Sequence, residues 1–471
     1  MPLFKIPPYP FWQYQMLRPL WKNFAYKPHQ LSGISWMLRR ETMSESGGLL
    51  CDEMGLGKTM EVLGVMCNSP KRKTLLLCPK AVIRQWVEAA SKASFNVLTI
   101  DDMSWKLVGP ISNPSSPFLY ITNYEKITKP TLFDGIWDRI VLDEAHRVRN
   151  ANSMLFKTIS DMERKTLWAV TATPIVNQVK DMNNLFALVG FKRMRLNNPI
   201  ERLEVVSEAC LHRSMEEMRL ILKELPNAPT IVKESLDFVT EEEGDFYRSV
   251  QGKIAARWKH IRHDDTKEAF ALLMKLRQLS LHPQVYISAM KRKSILGGYP
   301  RDDWEKPSTK FIALKNKLEA TQIPSRWIVF CQFHDEMDIL QAYLESSPAV
   351  HRVAQYHGGL TETQKNDVID ATKDVLPKHD ILLLQLQSGG VGLNLQHFSK
   401  VVFMSPWWTA ALMDQAIGRA VRIGQKDTVE VTMYVLKEED SMNIDVSMLE
   451  KAESKRGLLD QAFLHASRGI P

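Results

Sequence analysis

The sequence has few cysteines, and none of its five lies close to another along the chain. Cysteine-based zinc sites and disulfide frameworks use short, paired spacings, so both are excluded and a reducing compartment is expected. Apolar runs are also short. None reaches the roughly 20 residues of a membrane-spanning helix, and the N-terminus lacks the charged-then-apolar pattern of a signal peptide. Internal repeats, low-complexity segments and coiled-coil heptads are absent as well.

The excess of positive charge is small, with 61 Lys and Arg against 54 Asp and Glu and a net charge of +7. Such an excess permits a polyanionic partner but does not demand one. The hydrophobic content of 44% and the charged content of 24% are typical of a soluble globular protein. The 471 residues are too many for one compact core, so about two to four domains are expected.

Residues Gly48–Thr59 carry the strongest chemical signal. The apolar run Gly48–Cys51 predicts a buried strand, and Met60–Met66 predicts a helix. Between them, Gly55 and Gly57 let the backbone approach an oligophosphate, so that amide N–H groups face its oxygens. The N-terminus of the following helix adds a positive dipole.

Two side chains of this loop would bind the phosphates and their counterion. Lys58 supplies a point charge, and Thr59 supplies a hydroxyl ligand for Mg²⁺. The strict motif has glycine where this chain has Asp52. The sequence therefore predicts a phosphate-binding loop with one departure, and a glycine-rich turn ahead of a helix is the alternative interpretation.

A second motif follows the apolar run Ile140–Leu142, which predicts a strand ending in Asp143-Glu144-Ala145-His146. The carboxyl edge of an open α/β sheet is where ligands bind, so both carboxylates are expected there. Asp143 would hold Mg²⁺, and Glu144 would orient and deprotonate an attacking water. A strand that ends in a solvated acidic turn is the alternative.

Other short runs rich in Leu, Ile and Val predict further buried parallel strands. They form one series before residue 178 and another after residue 309: Thr74–Cys78, Phe118–Ile121, Leu167–Val170, Trp327–Cys331, Ile381–Leu386, Val401–Met404 and Val429–Val435. Between the two series, long charged amphipathic stretches such as Glu241–Lys259 predict helices.

The predicted fold class is α/β, with two parallel-sheet lobes, a helical protrusion and a C-terminal brace helix. The predicted segments, in chain order, are an N-terminal arm (1–23), a first lobe (24–190), the helical protrusion and linker (191–305), a second lobe (306–445) and the brace (446–471).

The order of these motifs resembles that of helicase superfamily-two motors of the SWI/SNF type, the family of chromatin-remodelling and DNA-repair translocases. The loop Asp52-Glu53-Met54-Gly55-Leu56-Gly57-Lys58-Thr59 is that family's own form of the motif, so Asp52 in the first glycine place is usual there. The resemblance covers roughly residues 24–440. It implies that both lobes are RecA-like and that the first is the ATPase lobe. It also implies that ATP and Mg²⁺ bind in a cleft between the lobes, with residues 52–59 contacting the nucleotide.

The resemblance also implies nucleotide and coupling roles in the first half. Lys27-Pro28-His29-Gln30 is similar to the adenine-reading segment, in which Gln30 can present a donor and an acceptor to the adenine edge. Ala169–Asn177 resembles the segment that couples the nucleotide and nucleic-acid sites, although the family commonly has glycine in the place of Ala172. Its Thr171 and Thr173, with His146 hydrogen-bonding toward them, are the expected coupling residues.

Two more segments of the first half resemble contacts to a nucleic-acid backbone. Leu76–Lys80, followed by Trp86, and Ile121–Tyr124 would supply Lys80, Thr122 and Asn123. An ammonium, a hydroxyl and an amide suit phosphate oxygens without distinguishing bases.

In the second half, Gln387–Leu395 resembles a loop that faces DNA through Ser388 and Gly389 and the nucleotide through Gly392. Asp414–Gln425 resembles the arginine-finger motif. Its Gln415 would contact the nucleotide. Arg419 and Arg422, three residues apart and so on one face of a helix, would neutralise charge on the transferring phosphoryl group.

Three features of the second half leave alternatives open. The family usually has an acidic residue at position 418 and His or Tyr at 421, where this chain has Gly418 and Val421, which puts efficiency and coupling in doubt. Trp408 could be a core residue or a stacking contact to nucleic acid, whereas Trp407 is assigned to the core.

The resemblance implies a DNA-dependent ATPase that translocates on duplex DNA to remodel nucleosomes or other protein–DNA complexes. The expected molecule is a monomeric motor, directed by partner proteins and without membrane contact. It would be nuclear in a eukaryote and otherwise cytosolic or in a viral factory. A strand-separating helicase on RNA or DNA and a non-hydrolysing DNA-binding scaffold are the alternatives.

Overall fold

The computed structural model describes residues 17–101, 104–111, 116–128, 132–262, 265–293, 299–374, 377–386, 393, 395–422, 424–437 and 443–467. The chain divides into two compact units, one of Met1–Leu225 with Lys455–Pro471 and one of Pro226–Ser454. The boundary after Leu225 falls inside the 191–305 segment predicted as protrusion and linker. Among the helices of the described ranges, none has the length and apolar character that a membrane span requires.

The first unit contains an eight-stranded sheet. Its strands, in chain order, are β1 (Gly47–Leu50), β2 (Lys73–Cys78), β3 (Asn96–Asp101), β4 (Ser104–Leu107), β5 (Phe118–Asn123), β6 (Arg139–Asp143), β7 (Leu167–Val170) and β8 (Cys210–Leu211). Their order across the sheet is β4-β3-β5-β2-β6-β7-β1-β8. Only the β3–β4 pair among the described strands of this sheet is antiparallel.

The α-helices that accompany this sheet in the described part of the chain are α1 (Pro28–Arg40), α2 (Lys58–Asn68), α3 (Ile83–Lys92), α4 (Met154–Asp161), α5 (Val179–Val189), α6 (Arg193–Asn197), α7 (Pro199–Ala209) and α8 (Met215–Ile221). Proline stands at the first position of α1 and of α7, where its missing N–H costs no helical hydrogen bond. β1 and β7 are buried along their whole length, as expected for parallel strands covered by helices.

The strand order brings three loops to one edge of the sheet. β7 lies between β6 and β1, and all three run parallel. The carboxyl ends of these strands therefore place the phosphate-binding loop, Asp143 with Glu144, and Thr171 with Thr173 side by side. This edge is where ligands bind in open parallel sheets.

The second unit has a six-stranded, all-parallel sheet in the order β11-β12-β10-β13-β14-β9. Its strands are β9 (Thr230–Leu236), β10 (Arg326–Cys331), β11 (Val350–Tyr356), β12 (His379–Gln385), β13 (Lys400–Phe403) and β14 (Glu430–Leu436). The remaining helices are α9 (Glu241–Trp258), α10 (Thr266–Leu281), α11 (Pro283–Lys293), α12 (Thr309–Ala320), α13 (His334–Glu345), α14 (Glu362–Ala371), α15 (Ala410–Ile417) and α16 (Ile444–Ser467).

These sheets confirm the predicted fold class of two RecA-like parallel-sheet lobes, and every strand predicted from an apolar run is present. Strands β3, β4, β8 and β11 were not predicted, and neither was β9. It lies in the stretch predicted as helical, yet it pairs along its whole length with β14 and so belongs to the second sheet. Helices α9, α10 and α11 bear out the amphipathic pattern of that stretch, and α16 occupies the segment predicted as a C-terminal helix.

Candidate active site

The phosphate-binding loop adopts the backbone conformation that its glycines permit. Gly55 and Gly57 have φ of 88° and 86°, in the left-handed region that disfavours side chains. A Cβ atom on Gly57 would also lie 2.5 Å from Nε2 of Gln30. Helix α2 begins at the next residue, Lys58. The Lys58 ammonium donates to the carbonyl oxygens of Asp52 (2.6 Å) and Glu53 (3.3 Å), so it lies within the loop.

The N-terminal turn of α1 packs on this loop. Burial lowers the pKa of His29, and its neutral ring donates from Nε2 to the carbonyl oxygen of Leu56 at 2.7 Å. The Gln30 amide donates to the same carbonyl at 3.4 Å, and its Oε1 accepts from the Lys27 N–H at 3.0 Å. The predicted adenine-reading residue therefore lies beside the predicted phosphate loop, as a nucleotide site requires.

Asp143 is held at the end of β6 by three neighbours. Trp86 donates from Nε1 to Oδ2 (2.8 Å), the Glu144 N–H donates to Oδ1 (3.0 Å), and the Tyr124 hydroxyl donates to the Asp143 carbonyl oxygen (2.6 Å). Burial, followed by the charge of Glu144, raises the pKa of Asp143 to about 6, although Trp86 and Lys58 act in the opposite direction. The site thus carries negative charge that a cation would offset.

Glu144 has a backbone conformation that is unusual for a residue with a side chain. Its φ of 52° and ψ of 49° lie in the left-handed region, where such residues cost on the order of 1–3 kcal/mol. Its side chain is 21% exposed, and Oε2 lies 3.3 Å from Nδ1 of His146. The turn thus directs this carboxylate toward solvent at the sheet edge instead of into the core.

The predicted coupling residues are in contact. Nδ1 of His146 lies 3.2 Å from the Thr171 hydroxyl and 3.5 Å from the Thr173 hydroxyl. The Thr173 N–H also donates to the Thr171 hydroxyl at 3.1 Å. A polar chain therefore runs from Glu144 through His146 to the loop after β7.

The burial of Asp143 makes a testable prediction about stability. A carboxyl whose folded-state pKa is raised from 3.8 to about 6 contributes stability below pH 4 that is lost as the pH rises through 6, up to about 3 kcal/mol. We therefore expect Asp143→Asn to raise the free energy of unfolding at pH 7.5 by about 1–3 kcal/mol, with a smaller gain at pH 5. Urea unfolding without nucleotide or Mg²⁺ measures both values.

Asp138→Asn is the matched control because its pKa shift has the opposite sign. The hydrogen bond from Lys165 lowers the pKa of Asp138, so removal of that carboxylate should destabilise the protein at pH 7.5. If Asp143→Asn proved destabilising at pH 7.5, the Asp143 carboxylate would be a net stabilising group in the fold.

The described residues contain no cluster of three or more His, Cys, Asp or Glu side chains that could hold a metal. Asp143 and Thr59 nevertheless fit Mg²⁺, because this ion takes few protein ligands and completes its shell with water and phosphate oxygens. Burial and, after it, the charge of Glu144 raise the pKa of Asp143, and a bound cation would stabilise its carboxylate against both, which supports that assignment.

The residues predicted to contact nucleic acid differ in exposure. Lys80 is exposed and lies just beyond the carboxyl end of β2. Thr122 and Asn123 are only 2% and 7% exposed, because they are the last residues of a central strand. Their side chains are therefore buried in this structure, whereas Lys80 is exposed. Ser388, Gly389 and Gly392 lie outside the described residues.

The predicted arginine finger has a local structure that differs from the expected helix. α15 ends at Ile417, and Gly418 caps it, so Arg419 and Arg422 lie in the turn that follows and not on one helical face. Arg419 is 5% exposed, and Arg422 donates from Nε to the Gly418 carbonyl oxygen at 3.1 Å. Gln415, on α15, is buried.

Trp407 and Trp408 pack around an arginine of the same unit. The Arg277 guanidinium lies 4.2 Å and 4.7 Å from the centres of their rings. Both rings are half-buried, and Trp407 also packs on the core beneath β13. The core assignment of Trp407 is confirmed, and Trp408 has a packing role of its own.

Three important residues were not predicted from the sequence as parts of this site. Arg213 and Glu61 form a buried ion-pair group with Asp52. The Asp52 side chain is therefore bound to Arg213, which leaves the backbone of residue 52 for the predicted contact with a nucleotide. Tyr124 was predicted only as part of a backbone-contacting segment, yet it supports Asp143.

The chain is similar to proteins of one family. A family model described as the SNF2-related domain matches residues 29–285, and one described as the helicase conserved C-terminal domain matches residues 309–424. The chromatin remodeling factor mit1 of Schizosaccharomyces pombe is 25% identical over 92% of this chain, which spans 32% of that protein's length. The probable global transactivator of Orgyia pseudotsugata multicapsid polyhedrosis virus is 25% identical over 92% of this chain and 91% of its own.

A solved structure, the Sulfolobus solfataricus SWI2/SNF2 ATPase core in complex with dsDNA, is 22% identical, with a TM-score of 0.41. The match covers 95% of this chain and 98% of the chain in that structure.

Proposed function

Because the chain belongs to the SNF2-related family, we propose that it is an ATPase that couples hydrolysis to movement along duplex DNA. The observation that carries the proposal is the assembly of Lys58, Asp143 and Glu144 at one edge of the first sheet. A phosphate-binding cation, a buried carboxylate and a strained, solvent-facing carboxylate together match what phosphoryl transfer to water requires.

We assign the following roles within the first unit. The loop backbone and Lys58 bind the phosphates, and Gln30 binds the adenine. Glu144 orients the attacking water and accepts its proton. Asp143 and Thr59 would hold Mg²⁺, which neutralises charge on the phosphate oxygens when bound. His146, Thr171 and Thr173 relay the state of this site toward the nucleic-acid contacts.

The second unit would contribute Arg419, Arg422, Gln415 and the loop that contains Gly392. Two guanidinium groups can neutralise charge on the transferring phosphoryl group, an effect of about 10³–10⁵ in related systems. For this role, Arg422 would have to give up the hydrogen bond from its Nε to the Gly418 carbonyl oxygen. Gly418 ends α15 with φ of −63° and ψ of −6°, a conformation that any residue can adopt, so the turn does not require glycine at this position.

Duplex DNA is the proposed partner, contacted through Lys80, Ser388 and Gly389. A relative named as a chromatin remodeling factor favours this partner over RNA. Nucleosomes or other DNA-bound proteins would then be the objects moved. The corresponding compartment is the nucleus in a eukaryote, and the cytosol or a viral factory otherwise.

The proposal predicts how nucleic acids stimulate turnover. Contacts to the phosphate backbone carry no base information, so we expect duplex DNA of any sequence to stimulate ATP hydrolysis, more strongly than RNA does. Stimulation should weaken steeply as salt rises from 50 to 200 mM, because binding releases counterions. Steady-state ATPase rates with duplex DNA, single-stranded DNA, RNA and nucleosomes measure this.

An exposed basic residue provides the control for this measurement. Lys80→Ala should raise the DNA concentration for half-maximal stimulation, whereas Lys165→Ala, which removes an exposed ion pair with Asp138, should not. Stimulation by RNA alone, with none by duplex DNA, would instead support a helicase acting on RNA.

A further inference from the structure

The loop residue that departs from the strict phosphate-binding motif is part of a buried ionic group. Nε of Arg213 donates to both carboxylate oxygens of Asp52 at 3.0 Å, and Nη2 donates to Glu61 at 2.5 Å. Asp52 and Glu61 are completely buried, and Arg213 is 6% exposed. One guanidinium therefore connects the start of the loop with the helix that follows it.

The same guanidinium also binds the segment that precedes the loop in the chain. Nη1 of Arg213 donates to the His29 carbonyl oxygen, and to the Ser32 hydroxyl at 3.2 Å. Gly33 makes room for this arrangement, because a Cβ atom there would lie 2.4 Å from Oε1 of Glu61. Arg213 thus joins three elements: the start of α1, the phosphate-binding loop and α2.

The backbone around Arg213 extends this support along the loop. Leu49 and Leu50 pair in parallel with Cys210 and Leu211, and the Cys51 N–H donates to the Leu211 carbonyl oxygen at 2.7 Å. The Glu53 N–H donates to the Arg213 carbonyl oxygen at 3.0 Å. The first residues of the loop therefore continue the parallel backbone pairing between β1 and β8.

The Arg213 side chain and this backbone pairing together hold the carbonyl oxygens to which Lys58 is bound. The Lys58 ammonium donates to the carbonyl oxygens of Asp52 and Glu53, the two residues that Arg213 holds through side chain and backbone. Asp52 is also absent from the described residues with positive φ. Glycine is therefore not needed there, and a side chain can be used to anchor the loop.

From this geometry we infer that Arg213 is a positioning residue for ATP: it holds the phosphate-binding loop and the adenine-binding segment in the arrangement that binds nucleotide. The inference rests on the proposed ATPase function. Arg213 touches neither phosphate nor water, so its effect should appear in nucleotide affinity. A charge-balancing role in the fold is the competing explanation, because Arg213 is a buried cation that faces two buried carboxylates, those of Asp52 and Glu61.

Two variants separate positioning from charge balance. The triple variant Asp52→Asn, Glu61→Gln, Arg213→Met removes all three charges and leaves no buried ion without a partner. Arg213→Lys keeps the positive charge, but a single ammonium cannot reproduce the planar fork that reaches two carboxylates and a carbonyl. It therefore tests the inference even if the triple variant does not fold.

The measurement pairs equilibrium binding of a fluorescent ATP analogue with thermal unfolding. We expect both variants to bind the analogue at least tenfold more weakly than the wild type at a temperature where each is fully folded. Arg139→Met is the matched control, because Arg139 forms a buried pair with Glu41 at the opposite, amino end of β6. It should lower the unfolding temperature while leaving the dissociation constant within about twofold of wild type.

Wild-type affinity in the triple variant or in Arg213→Lys would overturn the inference, and so would an equal loss of affinity in Arg139→Met. These outcomes differ from failure of the proposed function. That failure would appear in the wild type, as ATP turnover that duplex DNA does not stimulate, whereas the inference is decided by the binding of the variants.

Discussion

Lys58→Ala is expected to lower ATP turnover by about 10²–10³-fold, since it removes a fixed positive charge from the transferring phosphates. The fold should survive, because the Lys58 side chain binds only two carbonyl oxygens of its own loop and alanine favours the first turn of α2. Steady-state ATPase measurements with saturating duplex DNA give the loss, and thermal unfolding tests the fold.

Lys165→Ala serves as the control for this change. Lys165 is an exposed lysine of the same unit whose ammonium pairs with Asp138, away from the loop. The ATP turnover of Lys165→Ala should match that of the wild type. If Lys58→Ala kept more than about a tenth of normal turnover, Lys58 would not be the phosphate-binding cation, and the loop would have no place in the mechanism.

The parts of the site that are contiguous in the chain were predictable. Gly55, Gly57, Lys58 and Thr59 form a motif because consecutive backbone amides must surround a phosphate, which requires a set local order of residues. The pair Asp143-Glu144 follows from an apolar run that ends in carboxylates. Local order is what a sequence displays directly, so these features needed no knowledge of tertiary contacts.

The supporting residues were not predictable in the same way. Arg213 lies more than 150 positions from Asp52 and Glu61, in a stretch with no motif, and only the pairing of β8 with β1 brings it to the loop. A buried arginine and an exposed one look the same in a sequence. The burial of Thr122 has a related cause, since the depth of a strand end depends on its neighbours in the sheet.

β9 shows why the apolar-run criterion misses some strands. Its residues are mostly exposed, with Ile231 and Val232 each 48% exposed, and the charged pair Lys233 and Glu234 suits the edge of a sheet. Buried strands such as β12 are continuous apolar runs and were all found. The criterion therefore detects the centre of a parallel sheet better than its edges, which is why residues 226–305 looked purely helical.

The other large expected effect concerns Arg422, which lies with Arg419 in the turn after α15. Ground-state contacts to the nucleotide are proposed for Gln30, Lys58, Thr59 and Asp143, all in the first unit. Arg422 belongs to the second unit, and we propose that it acts mainly on the charge that develops during phosphoryl transfer. Arg422→Ala should therefore lower turnover by about 10³-fold while the affinity for ATP changes by less than about threefold.

This prediction needs binding and turnover measured on the same protein. Equilibrium binding of a fluorescent ATP analogue gives the ground-state affinity, and ATPase measurements with saturating duplex DNA give the turnover. Arg248→Ala is the control, because it removes an exposed arginine of the same unit that pairs with Asp245 within α9. A loss of binding in proportion to turnover would make Arg422 a ground-state ligand or a fold determinant. Unchanged binding and turnover would mean that Arg422 does not complete the active site, and a scaffold that retains the fold for binding would then explain the chain better than a translocase.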